Sequence, residues 1–199
     1  MSDWLTTTQA QWVVPLVVVG LLLIGIFVYR HRQVGSRLKR VLAEIGYDSI
    51  QGLVIPNADE GEIQIDYLLL TSQGLLIVDI KDAVGSVFGS NKMHEWTVIS
   101  EERRYTFPNP QEALYDRIAA VRHIVRQVPV AGRILFLDGA DFSKGVPSLV
   151  TDLDTLLEEF GEDDKAAAKF KIDAFKPHWD LIRKAALGTQ VDRIYKKKS

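Results

Sequence analysis

The sequence predicts an α/β fold, a mixed sheet flanked by helices, preceded by a single transmembrane helix. Two runs rich in Leu, Ile and Val, at residues 65–70 and 75–80, flank a short Gly-containing turn and are typical of paired strands. Apolar residues at helical spacing follow residue 110 and recur after residue 163. Residues 12–29 carry no charge and consist mainly of Val, Leu and Ile. The remaining residues suffice for one hydrophobic core.

The uncharged segment 12–29 is long enough to cross a bilayer. As a helix it would extend roughly 27 Å, close to the hydrocarbon thickness of about 30 Å. Trp12 and Tyr29 mark its ends, where such rings favour the membrane interface. The alternative is a cleaved signal peptide, but no Lys or Arg precedes the segment, Asp3 does, and no small-residue cleavage site follows. An uncleaved anchor is therefore predicted.

The charges around this segment predict its orientation. Five basic residues follow it within residues 30–40, whereas Asp3 is the one charged residue before it, so the domain should face the cytoplasm. The absence of cysteine agrees with that compartment. The basic cluster could instead be an arm for nucleic acid, but its position favours contact with anionic lipid. The predicted organisation is an extracytoplasmic N-terminus 1–11, a transmembrane helix 12–29, a basic juxtamembrane segment 30–40, a globular domain 41–195 with a C-terminal helical extension, and a basic tail 196–199. We thus expect a single-pass protein of the cell membrane.

The register of the predicted hairpin determines which charged residues meet. A two-residue loop of Ser72 and Gln73 places Asp66 opposite Asp79, whereas a Gln73–Gly74 loop places Asp66 opposite Lys81. In either register the three charged side chains share one face of the sheet. A three-residue loop without a bulge would separate them. The prediction of a shared site therefore depends on a loop of even length.

Two carboxylates and a lysine on one face indicate metal-dependent phosphodiester chemistry. Asp66 and Asp79 would hold Mg²⁺ or Mn²⁺, which prefer oxygen ligands. Lys81 would orient the attacking water or stabilise charge on the phosphate, and the metal would lower the pKa of that water. The alternative is that Asp79 and Lys81 end a buried strand and pair with each other. Asp-x-Lys alone is common, so its surroundings must decide.

The surrounding motifs resemble the nuclease-related domain family, a branch of the restriction-endonuclease-like fold. The resemblance covers about residues 35–140, and it implies that Asp66 and Asp79 are metal ligands and Lys81 the catalytic lysine. The matching motifs are Gln64-Ile65-Asp66, the run Gln73 to Val78 leading into Asp79-Ile80-Lys81, Gly85, Gly89, Trp96 and Asn109-Pro110 at the start of a helix.

The chain departs from the family pattern at two places. Asp79 stands where family members usually carry Glu, so its carboxylate reaches one methylene less far. The Glu that the family tends to place near the start of the helix before the first strand is absent, because residues 35–38 read Gly-Ser-Arg-Leu. Glu44, near the end of that helix, is a poor substitute. These departures leave open a domain that binds without cutting.

The helix after Asn109 carries the candidate nucleic-acid contacts. Gln111 and Tyr115 lie one turn apart, in the Gln-x-x-x-Tyr spacing found in some exonucleases of this fold. The alternative is a Tyr packed on the sheet and a solvated Gln. Further candidates are Arg117, Arg122, His123 and Arg126 on the helix, with Arg103 and Arg104 before it; the alternative for these is the solvated face of an amphipathic helix.

The net charge argues for weak, local nucleic-acid binding. Residues 1–40 carry +4 and Lys196–Lys198 carry +3, so with −2 for the whole chain residues 41–195 carry −9. A domain this acidic has no general attraction for phosphate and needs a local basic groove.

Outside the hairpin, the sequence predicts a helix–strand alternation that completes one domain. Hydrophobic spacing predicts a helix at Val34–Ile45 ended by Gly46, a strand at Ser49–Ile55, a hairpin of Trp96–Ile99 and Tyr105–Phe107, a helix from Pro110 to about Gln127, a strand at Arg133–Leu137, and helices at Leu149–Phe160 and Asp163–Leu187, the last interrupted near Pro177.

Two functional hypotheses follow. The first is a membrane-anchored, nuclease-like domain that hydrolyses phosphodiester bonds of nucleic acid with Mg²⁺ or Mn²⁺. The second is a catalytically degenerate module that binds nucleic acid or a protein partner at the cytoplasmic membrane face. No phosphate-loop or Gly-x-Ser-x-Gly pattern is present, which argues against those chemistries.

Overall fold

The computed structural model describes residues 17–19, 21–22, 35–56, 61–137, 139–161 and 165–196. The chain divides into two compact units, residues 1–39 and residues 40–199. In the first unit, residues 17–19 and 21–22 are helical and expose their Val and Leu side chains. The strands of the described residues all lie in the second unit.

From residue 35 onward, the described residues form four helices and nine strands, labelled in chain order. Helix α1 covers residues 35–45. The other elements are β1 (Asp48–Pro56), β2 (Glu62–Thr71), β3 (Gly74–Lys81), β4 (Gly85–Phe88), β5 (Glu95–Ile99), β6 (Arg104–Pro108), α2 (Pro110–Ile124), β7 (Val130–Phe136), β8 (Ala140–Asp141), β9 (Val150–Thr151), α3 (Leu153–Phe160) and α4 (Lys165–Lys196).

The larger sheet has five strands in the order β1-β2-β3-β7-β9. Strands β1, β2 and β3 are antiparallel neighbours, whereas β3, β7 and β9 run parallel. Strand β3 is central, and its residues from Gly74 to Asp79 are buried. Burial on both faces explains why this strand is an unbroken apolar run. The predicted mixed α/β architecture is confirmed.

The smaller sheet has the order β6-β5-β4-β8 and packs around one tryptophan. Trp96 is fully buried and contacts the rings of Phe107, Phe136 and Phe142. A Cβ atom at Gly89 would lie 2.4 Å from the Trp96 ring, so this position requires glycine. The predicted β5–β6 hairpin is confirmed, and Phe136 connects it to the larger sheet.

Helix α2 packs on the larger sheet and begins with a well-made cap. The side chain of Asn109 accepts a hydrogen bond from the Gln111 N–H at 3.0 Å and donates to the Met93 carbonyl at 2.8 Å. Pro110 is its first residue, as the sequence predicts. On the inner face, Leu114 lies so close to β7 that a Cβ at Gly132 would meet it at 2.8 Å. The position of α2 over the sheet is thereby closely determined.

Two sequence predictions of helix boundaries are wrong in part. Helix α2 ends at Ile124, because Val125 is extended. The segment predicted as the helix Leu149–Phe160 begins instead with strand β9, and α3 starts after Asp152, whose side chain accepts from the Thr155 N–H at 2.8 Å. The β-branched Val150 and Thr151 favour that strand.

The predicted interruption of the last helix near Pro177 is also wrong. Helix α4 continues through Pro177. Proline removes one backbone donor, but Ile172, Trp179 and Ile182 on both sides are buried. The Trp179 indole also donates to Asp48 at 2.8 Å, which ties α4 to the start of β1. Tertiary packing thus outweighs the local effect of the proline.

The predicted transmembrane helix 12–29 falls largely outside the described residues, which include only 17–19 and 21–22 of it. Within the described chain, no helix has the length and apolarity needed to cross a bilayer. Most of the basic tail 196–199 and residues 30–34 of the juxtamembrane segment also lie outside the described residues.

Candidate functional site

The β2–β3 register brings the two aspartates together. Thr71 pairs with Gly74 and Tyr67 with Val78, so Ser72 and Gln73 form a two-residue loop. This is the register that places Asp66 opposite Asp79. The ladder of paired residues ends at Tyr67, and beyond it the Asp66 Oδ2 accepts a hydrogen bond from the Ile80 N–H at 2.9 Å. Asp66 therefore binds the backbone of the strand that carries Asp79.

Asp79 is a buried carboxylate that lacks hydrogen bonds. Its side chain is 1% exposed, and neither carboxylate oxygen accepts a hydrogen bond from any described residue. A buried polar group without a partner is costly, and an ionised one more so. Because perturbed ionisable groups cluster at functional sites, this carboxylate at the end of the central strand marks a candidate site.

Arg117 on α2 supplies the opposite charge. Its Nη1 lies 3.1 Å from the Asp79 Oδ2, an ion-pair distance, although the two groups are not aligned for a hydrogen bond. Its Nε donates to the Gln64 carbonyl at 2.7 Å. The Arg117 side chain is 22% exposed and so is partly withdrawn from water. Arg117 thus spans β2 and β3 from the helix above them.

The surroundings of Asp79 raise the pKa of its carboxyl above the ordinary value of 3.8. Burial is the largest cause, because it disfavours the charged form. The Arg117 guanidinium opposes this effect, the Asp66 carboxylate adds to it, and Lys81 again lowers the pKa. Burial and Asp66 also raise the pKa of the neighbouring Tyr67 hydroxyl. The two aspartates therefore interact electrostatically, which agrees with their opposed positions.

Lys81 lies on the same face as Asp79, two residues along β3, and is half-buried. Its ammonium has no carboxylate within ion-pair distance in the part of the chain that is described. The direct Asp79–Lys81 pair considered from the sequence is thus not found there, and Arg117 takes that position. Among the described residues, no carboxylate therefore pairs with the Lys81 ammonium at the edge of the site.

The donor set suits a divalent cation in part. Asp66 and Asp79 offer hard carboxylate oxygens, and both oxygens of Asp79 lack donors among the described residues. Across residues 35–56, 61–137, 139–161 and 165–196, however, no three His, Asp or Glu side chains gather as a metal-binding group. Asp66 and Asp79 are the residues that would hold Mg²⁺ or Mn²⁺. Glu44, at the exposed end of α1, is not part of such a group.

Gln111 and Tyr115 do not lie as the alternative to nucleic-acid contact predicts, with the Gln solvated and the Tyr packed on the sheet. Gln111 is 3% exposed rather than solvated, and its Oε1 accepts from the Leu149 N–H at 3.3 Å. Tyr115 is 56% exposed rather than packed on the sheet. Gln111 thus ties α2 to the segment before β9, whereas the Tyr115 ring is free to contact a ligand. Their contact with nucleic acid stays a prediction.

The other basic residues of α2 point away from Asp79 or lie beyond the helix. Arg122 donates to the Val130 carbonyl at 3.0 Å, at the start of β7, and Arg126 is exposed after the helix end. Arg122 also lines a cavity of about 270 Å³ beside the β2–β3 turn. That cavity is roughly 13 Å along β3 from Asp79, at 3.3 Å per residue. It is separate from the site built by the two aspartates.

Sequence reasoning missed the role of Arg117 as the partner of Asp79. The signal was present, because Leu114, Ile118 and Val121 form the buried face of α2 and position 117 falls on that face. A charged residue among inward positions requires a buried counter-charge. Asp79, on an otherwise apolar strand, is the matching residue.

Comparison with known proteins identifies the family of the chain. An uncharacterized protein of Bacillus anthracis is 26% identical over 97 residues, which covers 47% of this chain and 46% of the relative. The match thus spans about half the length of that relative. No solved structure matches the chain. The model of the nuclease-related domain matches residues 29–137, more than half of the chain and the part that contains Asp66, Asp79 and Lys81, so the chain belongs to the nuclease-related domain family.

Proposed function

We propose that this protein is a membrane-anchored nuclease whose domain hydrolyses phosphodiester bonds of nucleic acid with Mg²⁺ or Mn²⁺. The observation that supports this most is the buried Asp79 carboxylate, which lacks hydrogen-bond donors among the described residues and lies beside Asp66 and Lys81. Membership of the nuclease-related domain family supports the same chemistry. We also propose that the domain built on the larger sheet has the restriction-endonuclease-like fold.

Each side chain of the site has a role in this proposal. Asp66 and Asp79 hold the cation, which when bound polarises the phosphate and lowers the pKa of water. The Lys81 ammonium orients the attacking water or stabilises negative charge on the phosphate. The exposed Tyr115 ring offers a stacking surface for a base. Arg122, held by the Val130 carbonyl, and Arg126, beyond the end of α2, have no role in holding the cation in this proposal.

A cleavage assay with matched variants tests the enzyme proposal. The full-length chain, purified in mild detergent, is incubated with labelled single- and double-stranded DNA and RNA in a titration of Mg²⁺ or Mn²⁺. We expect cleavage that falls by at least about 100-fold in Asp79→Asn and in Lys81→Met. Asp82→Asn is the matched control, because Asp82 is an exposed carboxylate three residues along the chain. No cleavage with any metal and substrate, or equal cleavage in Asp79→Asn, would refute the proposal.

The second candidate is a module that binds nucleic acid or a protein without cutting. It is supported by the Arg117–Asp79 ion pair and by the lack of a third acidic ligand among the described residues. In the same assay this candidate gives no cleavage with any metal. Retention of a labelled oligonucleotide that weakens on Tyr115→Ala would then support nucleic-acid binding.

The anchor is proposed from residues 12–29 and from the basic residues that follow them. Because the chain has no cysteine, single cysteines report topology directly. Ser2→Cys should react with a membrane-impermeant maleimide in intact cells, and Ser143→Cys, on an exposed loop of the domain, only after permeabilisation. Equal labelling of both before permeabilisation would contradict the proposed orientation.

A further inference from the structure

Arg117 occupies an unusual position for a surface arginine. It lies on the inward face of α2, and its guanidinium is held at two points. Nε donates to the Gln64 carbonyl of β2 at 2.7 Å, and Nη1 lies 3.1 Å from the Asp79 Oδ2 of β3. The helix that carries it is itself fixed by the Asn109 cap and by the buried Gln111. The side chain is therefore directed at Asp79 by the fold.

The pair has a geometry that leaves the carboxylate incompletely satisfied. A structural ion pair between a guanidinium and a carboxylate is usually bidentate and hydrogen-bonded. Here the Asp79 oxygens lack hydrogen-bond donors in the described part of the chain, and the contact of Oδ2 with Arg117 Nη1 at 3.1 Å is not aligned as a hydrogen bond. Arg117 thus supplies charge to Asp79 without completing its coordination. That arrangement suits a positively charged side chain that a divalent cation can replace at the Asp79 carboxylate.

A divalent cation held by Asp79 would meet the guanidinium at close range. Two cations near one carboxylate repel each other, and low exposure strengthens that repulsion. Asp79 is 1% exposed and Arg117 is 22% exposed, so water screens the pair poorly. Binding of the metal therefore requires Arg117 to leave Asp79.

We propose that Arg117 is an internal counter-ion of Asp79 that competes with the divalent cation for the same carboxylate. The inference rests on the proposed function in that it takes Asp79 as the metal ligand. Arg117 keeps the domain folded without metal, because it balances the buried charge. It also lowers the affinity for metal, because every binding event must break this pair.

Direct measurement of Mn²⁺ binding tests the inference without an activity readout. Free Mn²⁺ is followed by electron paramagnetic resonance during titration of the full-length wild type, Arg117→Met, Arg117→Gln and Arg126→Met. Arg117→Gln keeps a hydrogen-bond donor for the Gln64 carbonyl while it removes the charge. Arg126→Met is the matched control, since Arg126 is exposed. We expect the two Arg117 variants to bind Mn²⁺ at least about tenfold more tightly than the wild type and the control.

Adding Asp79→Asn to Arg117→Met should abolish the tighter binding, which assigns it to this carboxylate. Unfolding temperatures give a second readout, because Mn²⁺ should raise that of Arg117→Met more than that of the wild type.

The outcomes separate this inference from the proposed hydrolysis. If the Arg117 variants bind Mn²⁺ no more tightly than the wild type while Asp79→Asn weakens binding, the inference is overturned and the nuclease proposal stands. Tighter binding without cleavage by any variant supports the inference and refutes hydrolysis. If no form binds Mn²⁺, both are refuted. If both Arg117 variants stay unfolded with and without Mn²⁺, the inference is overturned, because Arg117 is then a counter-ion that metal cannot replace.

Discussion

Removal of Arg117 in metal-free solution should destabilise the domain strongly, and a second substitution at Asp79 should restore most of the loss. Arg117→Met leaves the Asp79 carboxylate, 1% exposed, without a cation within ion-pair distance among the described residues. Removing one partner of a buried ion pair typically costs about 3–5 kcal/mol. Asp79→Asn leaves Arg117 bound to the Gln64 carbonyl and should cost less than about 1 kcal/mol. The double variant has neither charge and should lie within about 1–2 kcal/mol of the wild type.

Urea unfolding in the presence of a chelator measures this cycle. Trp96 and Trp179 are buried, so their fluorescence reports unfolding of the domain. We expect a coupling free energy between positions 79 and 117 of about 2–4 kcal/mol at pH 7. Protonation of Asp79 limits the cost of Arg117→Met, so the loss should shrink as the pH falls. A coupling below about 0.5 kcal/mol would show that Arg117 does not balance the charge of Asp79.

Three further predictions concern the pH response, a close approach in the smaller sheet, and the start of α2. Burial raises the pKa of Asp79 above 3.8, so the protonated carboxyl stabilises the folded state. This contribution to the free energy of unfolding is complete below the ordinary value of 3.8 and is lost as the pH rises through the folded-state pKa. The unfolding temperature of Asp79→Asn should therefore rise relative to the wild type between about pH 4 and pH 7; a difference that is constant or falls would contradict the raised pKa. Gly89→Ala should cost about 1–3 kcal/mol in urea unfolding, because its Cβ would meet the Trp96 ring at 2.4 Å, and a neutral effect would refute that contact. Asn109→Ala should lower the free energy of unfolding by about 1–2 kcal/mol in the same measurement, since it removes both the helix cap and the hydrogen bond to the Met93 carbonyl. Asn109→Asp keeps the cap alone, so its stability should lie between those of the wild type and Asn109→Ala.

The hairpin was predictable because it depends on local information, and the shared face of its charged residues follows in either of the two registers that the sequence left open. Strand side chains alternate, and the two-residue Ser72–Gln73 loop determines every pair from Thr71–Gly74 outward. The cap at Asn109 and the close approach at Gly89 were likewise visible as residue types that suit special positions. These features require no knowledge of how distant elements pack.

The role of Arg117 and the burial of Gln111 depend on distant packing. Arg117 reaches Asp79 only because α2 lies over β3, and Gln111 is buried only because residues 148–149 return to the start of that helix. The continuous α4 has the same origin, since burial of Trp179 against the domain supports the turn that Pro177 weakens. Single-sequence patterns contain the residue types but not the three-dimensional pairings.

The two functional hypotheses differ chiefly in where one guanidinium lies. With Arg117 on Asp79, the charges of Asp66, Asp79, Lys81 and Arg117 sum to zero, and the site has no net attraction for a divalent cation. With Arg117 withdrawn, two carboxylates and one ammonium remain, which is the charge pattern that a metal-dependent phosphodiesterase requires. If the family's Glu near the start of the helix before the first strand is missing, as the resemblance implies, one fewer anion attracts the metal and the first state is favoured. Relative affinity for Asp79 therefore determines whether the metal enters the site, which the Arg117 variants measure directly, and the cleavage assay then determines whether the domain cuts.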